Sequence, residues 1–292
     1  MALIRKSAKG CLPNLIIIGA QKSGTTSLHK YLNFHPEIKM SWEKELNFFI
    51  DQPGWVSNWR KGSGWYKSRF NSEAKIRGES SPNYTAYPHI ECIPERMHSV
   101  VPEAKLIYIL RDPIERIISN YIHHCSQGKE YRSLSDALKN ITAQNSYISR
   151  SKYYMQLEQF LEYFSESQIL ILTREELYND RLKTLKKVFR FLDVDDSFQS
   201  RKFNTMYHRS SIKRQPTRAG IFLSRTPVQK AIERLPQYLR WKAEWLVYYP
   251  FSRKIERPQL DDKLRNDIIE YIRDDINSLR EFTGQKFEEW SL

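Results

Sequence analysis

Short apolar runs of four to six residues alternate, over the first two thirds of the chain, with segments whose apolar positions recur every three or four residues. Runs of that length bounded by polar or glycine-containing turns suit strands buried on both faces, and their alternation with helical periodicity predicts βαβ units. The strand candidates are Leu15–Gly19, 75–78, Lys105–Leu110 and 168–173. Helices are expected over 25–33, 113–124, 133–139, 153–164, 182–192 and 261–282; the last carries Leu264, Ile268, Ile272, Ile276 and Leu279 on one stripe. Residues 36–75, rich in Trp, Gly and Ser, read as a long aromatic-lined excursion, and residues 201–225, with little periodicity and many Arg and Lys, as a basic loop. No internal repeat interrupts this pattern. The expectation is a single α/β domain over residues 1–292, with a central parallel sheet flanked by helices on both faces and a flexible N-terminus at 1–12.

Composition narrows the class. With 40% apolar and 13% aromatic residues the chain can build a packed core. Its apolar run near the start, Leu15 to Ile18, falls far short of the roughly 20 residues a bilayer crossing needs. Residues 1–14 are basic without an apolar stretch, which argues against a signal peptide. A soluble, cytoplasmic protein without a membrane span is expected. Cys11, Cys92 and Cys125 are widely spaced and odd in number, unlike a disulfide framework or a zinc site. The net charge of +13 is concentrated: residues 201–257 hold 14 Lys/Arg against Glu233, Glu244 and Glu256. An anionic partner follows, but charge alone does not separate nucleic acid, acidic membrane, polyanionic glycan and phosphorylated cofactor.

The turn after the first strand is more specific. In Ile18-Gly-Ala-Gln-Lys-Ser-Gly-Thr-Thr26 an apolar strand enters a glycine-containing turn that opens a helix. Backbone N–H groups and a helix N-terminus then converge on one spot suited to an anion. Lys22 adds a point charge, and Ser23, Thr25 and Thr26 add hydroxyl donors. Walker A requires the Lys after the second Gly, whereas Lys22 precedes Gly24, and no acidic residue closes a later strand to hold Mg²⁺. The third strand ends instead in Arg111. There Leu110-Arg-Asp-Pro-Ile-Glu-Arg-Ile-Ile-Ser-Asn-Tyr121 starts a helix with Pro113 in its first turn, and Arg111 and Ser119 supply donors suited to a phosphate monoester. Read by itself, the segment is also a surface helix with an Asp112–Arg116 pair.

Residues 12–28 resemble the 5′-phosphosulfate loop of sulfotransferases that use 3′-phosphoadenosine 5′-phosphosulfate (PAPS), in particular the heparan sulfate N- and O-sulfotransferase-like branch with its bacterial relatives. Residues 110–121 resemble that family's 3′-phosphate motif. The resemblance implies a P-loop kinase-like fold, with PAPS as cofactor (product PAP) and no metal. It implies cofactor contacts from Gln21, Lys22, Ser23, Gly24, Thr25, Thr26, Arg111 and Ser119, with Arg116 structural. Trp42-Glu-Lys-Glu-Leu-Asn-Phe-Phe49 is similar to the family's K-E-x-x-F-F segment, which makes Glu45 the catalytic base beside Lys44, with Glu43 its nearest competitor. Ser119-Asn-Tyr-Ile-His123 looks like the N-sulfotransferase pattern in which the His lies near the acceptor, so the base is Glu45 or His123. Glu79-Ser-Ser-Pro-Asn-Tyr84 matches a segment read as part of the acceptor cleft. The basic loop over 201–225 occupies the place of one that closes over PAPS, with Arg209 and Lys213 as contacts, although Ser211-Ile-Lys-Arg214 lacks the family's Gly. Trp42, Trp55, Trp59 and Trp65 are candidates for stacking on sugars or for core.

The implied activity is sulfuryl transfer to a hydroxyl or amine of a glycan or other small acceptor, without nucleic acid. Two readings compete. A P-loop kinase or NTPase shares the strand–loop–helix but needs the Walker order and a Mg²⁺ carboxylate. A non-enzymatic polyanion binder needs only the basic segment.

Overall fold

The computed structural model describes residues 10–70, 73–205, 213–224 and 226–292. Strands β1 (Leu15–Gly19), β2 (Ile38–Met40), β3 (Ile76–Ser80), β4 (Lys105–Leu110) and β5 (Ile169–Thr173) form one sheet in the order β2-β3-β1-β4-β5. Every pairing in it is parallel. The longer helices are α1 (Thr25–Leu32), α2 (Ile93–Val100), α3 (Pro113–Ser126), α4 (Tyr153–Leu161), α5 (Arg181–Leu192), α6 (Arg218–Ser224), α7 (Pro227–Glu233), α8 (Gln237–Tyr248) and α9 (Asp262–Thr283). A two-stranded antiparallel hairpin, β6 (Arg214–Pro216) with β7 (Ser252–Lys254), lies outside the sheet and encloses α6 to α8.

The period-two alternation of a strand divides the core in two. Leu15 and Ile17 of β1 and Ile107 and Ile109 of β4 pack with Leu28 and Leu32 of α1 and Leu185, Val188 and Phe189 of α5. Ile16, Ile18, Leu106, Tyr108 and Leu110 face the other way, onto α3, α4, α9 and the aromatic excursion around Phe48, Phe49 and Tyr66. Both faces of β1 and β4 are thus buried, which is why these strands read as unbroken apolar runs. α9 is tied to α4 by Asp275, whose carboxylate accepts the backbone N–H groups of Tyr154 (3.0 Å) and Met155 (2.8 Å) at the start of α4.

The structure departs from the sequence expectations in particular places. β2 lies inside the 36–75 excursion; three residues with an exposed Lys39 give no recognisable run. Residues 201–225 are not a continuous loop: a single 3₁₀ turn at Arg201–Asn204, β6 and α6 fall within them, and residues 206–212 lie outside the described set. The Asp112–Arg116 pair does not form. Asp112 instead caps α3 by accepting the Glu115 N–H (2.9 Å), and Arg116 is fully buried with its Nε donating to Ser151 Oγ (2.6 Å). The three cysteines are free.

Candidate functional site

β1 lies between β3 and β4, so the chain leaves neighbouring strands of the sheet in opposite directions, which opens a crevice at their C-terminal ends. A cleft of about 890 Å³ occupies that place. Its lining brings together Gln21, Lys22, Gly24, Thr25, Thr26, Lys44, Glu45, Arg111, Ser119, His123 and Lys213. Eleven residues separated by up to 192 positions in sequence thus meet in one cavity.

The loop after β1 is set by two close constraints. A side chain at Gly19 would meet Thr85 Oγ1 at 2.1 Å, so the strand end needs glycine for that approach. Lys22 takes φ 74° and Gly24 φ 104°, and this doubly reversed turn delivers the chain to α1, whose first turn carries no acidic residue. The same reversal tucks Ser23 beneath the loop. It is fully buried, its Oγ has no hydrogen-bond partner among the described residues, and it does not line the cleft. Thr25 and Thr26 do face the cleft.

The cations of the cleft repel one another. Burial, then Lys213 and Arg111, pulls the Lys22 ammonium down to about 7. Burial lowers Lys213 as well. Burial and Arg174 bring Arg111 to about 10. Arg111 forms an ion pair with Glu115 (2.8 Å), its carbonyl accepts the Tyr153 hydroxyl (2.7 Å), and its buried Nε has no partner among the described residues. Lys213 Nζ lies 3.1 Å from His123 Nδ1, and burial with the charges of Lys22 and Lys213 drives His123 to about 3, so the imidazole is neutral at pH 7. Cations crowded in this way favour an anion among them.

The opposite wall is built from a buried carboxyl. Glu79 at the end of β3 accepts the hydroxyls of Tyr66 (2.5 Å), Tyr84 (2.9 Å) and Ser81 (2.7 Å), and burial raises its pKa. Those hydroxyls in turn accept the N–H groups of Phe48 (2.9 Å, at Tyr84) and Asn47 (2.9 Å, at Ser81). Phe48 stacks on Tyr66 with centroids 4.0 Å apart. The segment following Glu45 is thereby fixed, and the motif of residues 79–84 is scaffolding: of these residues only Pro82 lines the cleft. Glu45 pairs with Lys44 (3.3 Å) inside the cleft. Glu43 turns away to Arg69 (3.1 Å), which removes it as the competitor. Trp55, Trp59 and Trp65 pack against the core, whereas Trp42 is 95% exposed. Arg209 lies outside the described residues.

Several lining residues carried no sequence motif. Arg174 follows β5 as Arg111 follows β4, so strand-end position was the available signal. Arg181, over the Tyr31 ring at 5.1 Å, Leu177 and Tyr178 complete that end of the cleft. Arg150, fully enclosed, donates to Gln21 Oε1 (2.9 Å), the Pro82 carbonyl (2.9 Å) and Asn83 Oδ1 (3.1 Å), and so ties the β1 loop to the segment after β3.

Comparison with known proteins agrees with this geometry. The sulfotransferase domain family model matches residues 12–220. The bifunctional heparan sulfate N-deacetylase/N-sulfotransferase 1 of Caenorhabditis briggsae is 31% identical over 209 residues, 65% of this chain and 23% of that protein. The heparan sulfate glucosamine 3-O-sulfotransferase 5 of Mus musculus is 31% identical over 195 residues, 63% of this chain and 54% of its own length. The chain therefore spans under a quarter of the first relative and about half of the second. Among solved structures, a sulfotransferase from Alicyclobacillus acidocaldarius superposes with a TM-score of 0.68 at 20% identity, covering 97% of this chain and all of that one. A mouse sulfotransferase crystallised with PAP gives 0.52 at 15% identity, over 94% of this chain and 90% of that one. The parallel sheet, the strand-end cleft and a family match that runs from the residues before β1 into α6 lead to one assignment: this chain belongs to the sulfotransferase domain family.

Proposed function

We propose that the cleft binds PAPS and transfers its sulfuryl group to a hydroxyl or amine, with a glycan as the favoured acceptor. The observation that carries this reading is the convergence of Lys22, Arg111 and Lys213 on a cavity that also holds Glu45. The residues present fit such a donor. Three mutually repelling cations and a buried guanidinium Nε without a partner among the described residues favour a multiply charged anion, and the hydroxyls of Thr25, Thr26 and Ser119 line the same cleft. When bound, PAPS supplies an activated sulfuryl group and a phosphate leaving group.

The chain's own residues then have distinct tasks. The N–H groups and hydroxyls at Gly24, Thr25 and Thr26, at the positive end of α1, hold the 5′ end, and Lys22 and Lys213 neutralise charge that develops on the leaving oxygen. Arg111 and Ser119 hold the 3′-phosphate. Arg150 keeps Gln21 and the β1 loop in register with the opposite wall. Glu45 takes the acceptor proton, held in place by the Glu79 network and by Lys44. His123 is the weaker candidate for that task, because the two lysines beside it oppose a further positive charge. It accepts a hydrogen bond from Lys213 and aims that ammonium. Trp42, three residues before Glu45, offers an open indole face to a sugar ring. The relatives named above are heparan sulfate sulfotransferases, which supports a saccharide acceptor.

Calorimetric titration tests the reading. PAP, 5′-AMP and Mg-ATP are titrated into wild type and Arg111→Ala. Micromolar or tighter PAP binding, much weaker AMP binding and loss of that preference in Arg111→Ala are expected. A preference for Mg-ATP returns the protein to the kinase reading.

A further inference from the structure

The segment between β6 and β7, residues 217–251, adds three helices to the hairpin, and the sulfotransferase match ends at residue 220, inside the first of them. These helices are built in an unusual sense. On α8 and the turn after it, Leu239, Lys242, Trp245, Leu246 and Tyr249 recur at helical spacing and fall on one arc of about 120°. All five are exposed, Leu246 at 66% and Trp245 at 55%, while Ala243, Glu244 and Val247 behind them are more covered. Leu239, Trp245, Leu246 and Tyr249 thus face solvent on one side of the helix. Phe222 on the neighbouring α6 is 72% exposed. The same 35 residues carry six Lys/Arg against two Glu, a net charge of +4, and Lys230, Arg234 and Lys242 are exposed.

We propose that this helical module is a docking surface for an anionic lipid bilayer. Exposed leucine, phenylalanine and tryptophan side chains flanked by lysines are what an interfacial helix needs: the apolar groups enter the acyl boundary and the ammonium groups meet acidic headgroups. Two other occupants fit less well. A polyanionic glycan would satisfy the charges and stack on Trp245, but it gains little from Leu239 and Leu246, which have no polar function. A second copy of the chain, packed isologously through this stripe, would set +4 against +4 across the contact. The module is joined directly to the cleft, since β6 begins at Arg214, one residue after Lys213. Docking therefore tethers the body that carries the cleft to the lipid surface, a placement that does not depend on the chemistry proposed above.

Vesicle co-sedimentation of the full chain decides this. Vesicles of phosphatidylcholine alone are compared with vesicles of phosphatidylcholine and phosphatidylglycerol, at low and high salt, for wild type, Trp245→Ser/Leu246→Ser and Lys230→Glu/Lys242→Glu. Wild type is expected to sediment with the anionic vesicles and not with the neutral ones. Each double variant should lower the bound fraction about tenfold while the folding midpoint and oligomeric state stay unchanged. PAP titration runs alongside and is expected to be the same for all three proteins. Vesicle binding with no PAP binding would sink the cofactor reading and leave the docking surface standing. Three results overturn the docking proposal: no vesicle binding by wild type; retention on heparin, with vesicle binding indifferent to Trp245→Ser/Leu246→Ser; and a wild-type dimer that this variant dissociates.

Discussion

The two banks of the cleft are made differently. On the bank proposed for the nucleotide, Arg111 sits immediately beyond β4 and Lys22 in the short turn beyond β1, so their positions follow from the register of a parallel sheet buried on both faces. On the other bank, proposed for the acceptor, Glu45 stands on an irregular segment held through hydroxyl relays to Glu79, while Lys213 reaches the cleft from the root of a hairpin outside the sheet. The first bank is positioned by backbone pairing, which is insensitive to most side-chain changes. The second is positioned by particular side chains and can be reshaped residue by residue. Under the proposed function, that division would let the acceptor site change while the donor site stays fixed.

The largest expected effect tests the rigid bank. Arg111→Ala should weaken PAP binding at least about 100-fold by calorimetry, since hydrogen bonds to a charged partner contribute about 1.5–3 kcal/mol each. Lys22→Ala should remove measurable turnover. A modest loss at either position would mean that the strand-end geometry does not set donor binding.

Next in size, Glu45→Gln should lower kcat about 10²–10⁴-fold while PAP affinity stays within about twofold. Full activity in that variant would transfer the proton to His123, and the corresponding substitution His123→Gln would then carry the loss.

A smaller effect sharpens the electrostatic contrast. With the Lys22 ammonium held near 7 by burial and its neighbours, an anion restores its charge and raises its pKa. PAP binding should then take up a proton at pH 8. Affinity should fall by up to about tenfold per unit as pH rises from 7 until the bound-state pKa is reached. Titration in two buffers of different ionisation enthalpy measures the uptake directly, and Lys22→Met should flatten the profile.

The smallest effect lies away from both banks. Asp275→Ala should cost about 1–2 kcal/mol of stability through the lost cap on α4, with PAP affinity unchanged.

The same division explains what the sequence made legible. β1 and β4 stood out because strands covered on both faces must be apolar throughout, and the anion loop stood out because its turn needs Gly19 and Gly24 at fixed offsets. β2 was invisible at three residues. The burial of Ser23 was not legible, because a linear motif does not show that a left-handed Lys22 turns the next residue inward. Arg150 and Arg174 were missed for another reason: each acquires its place only when distant segments meet, and no local period marks them. The helices α7 and α8 escaped notice because Leu239, Trp245 and Leu246 face solvent rather than a core, so charge dominated the reading of that stretch.

One feature of the hairpin reaches further. Pro216 and Ser252 are register partners, so the 35 residues between them leave and re-enter the body at adjacent points. A segment with neighbouring ends closes a loop that already exists, and the entropy of closure changes only as the logarithm of its length, by about 0.6 kcal/mol per doubling. The hairpin is therefore a socket. Its contents can be shortened to a tight turn, lengthened or exchanged for those of another sulfotransferase at little thermodynamic cost, while the sheet that positions Lys22 and Arg111 keeps its register.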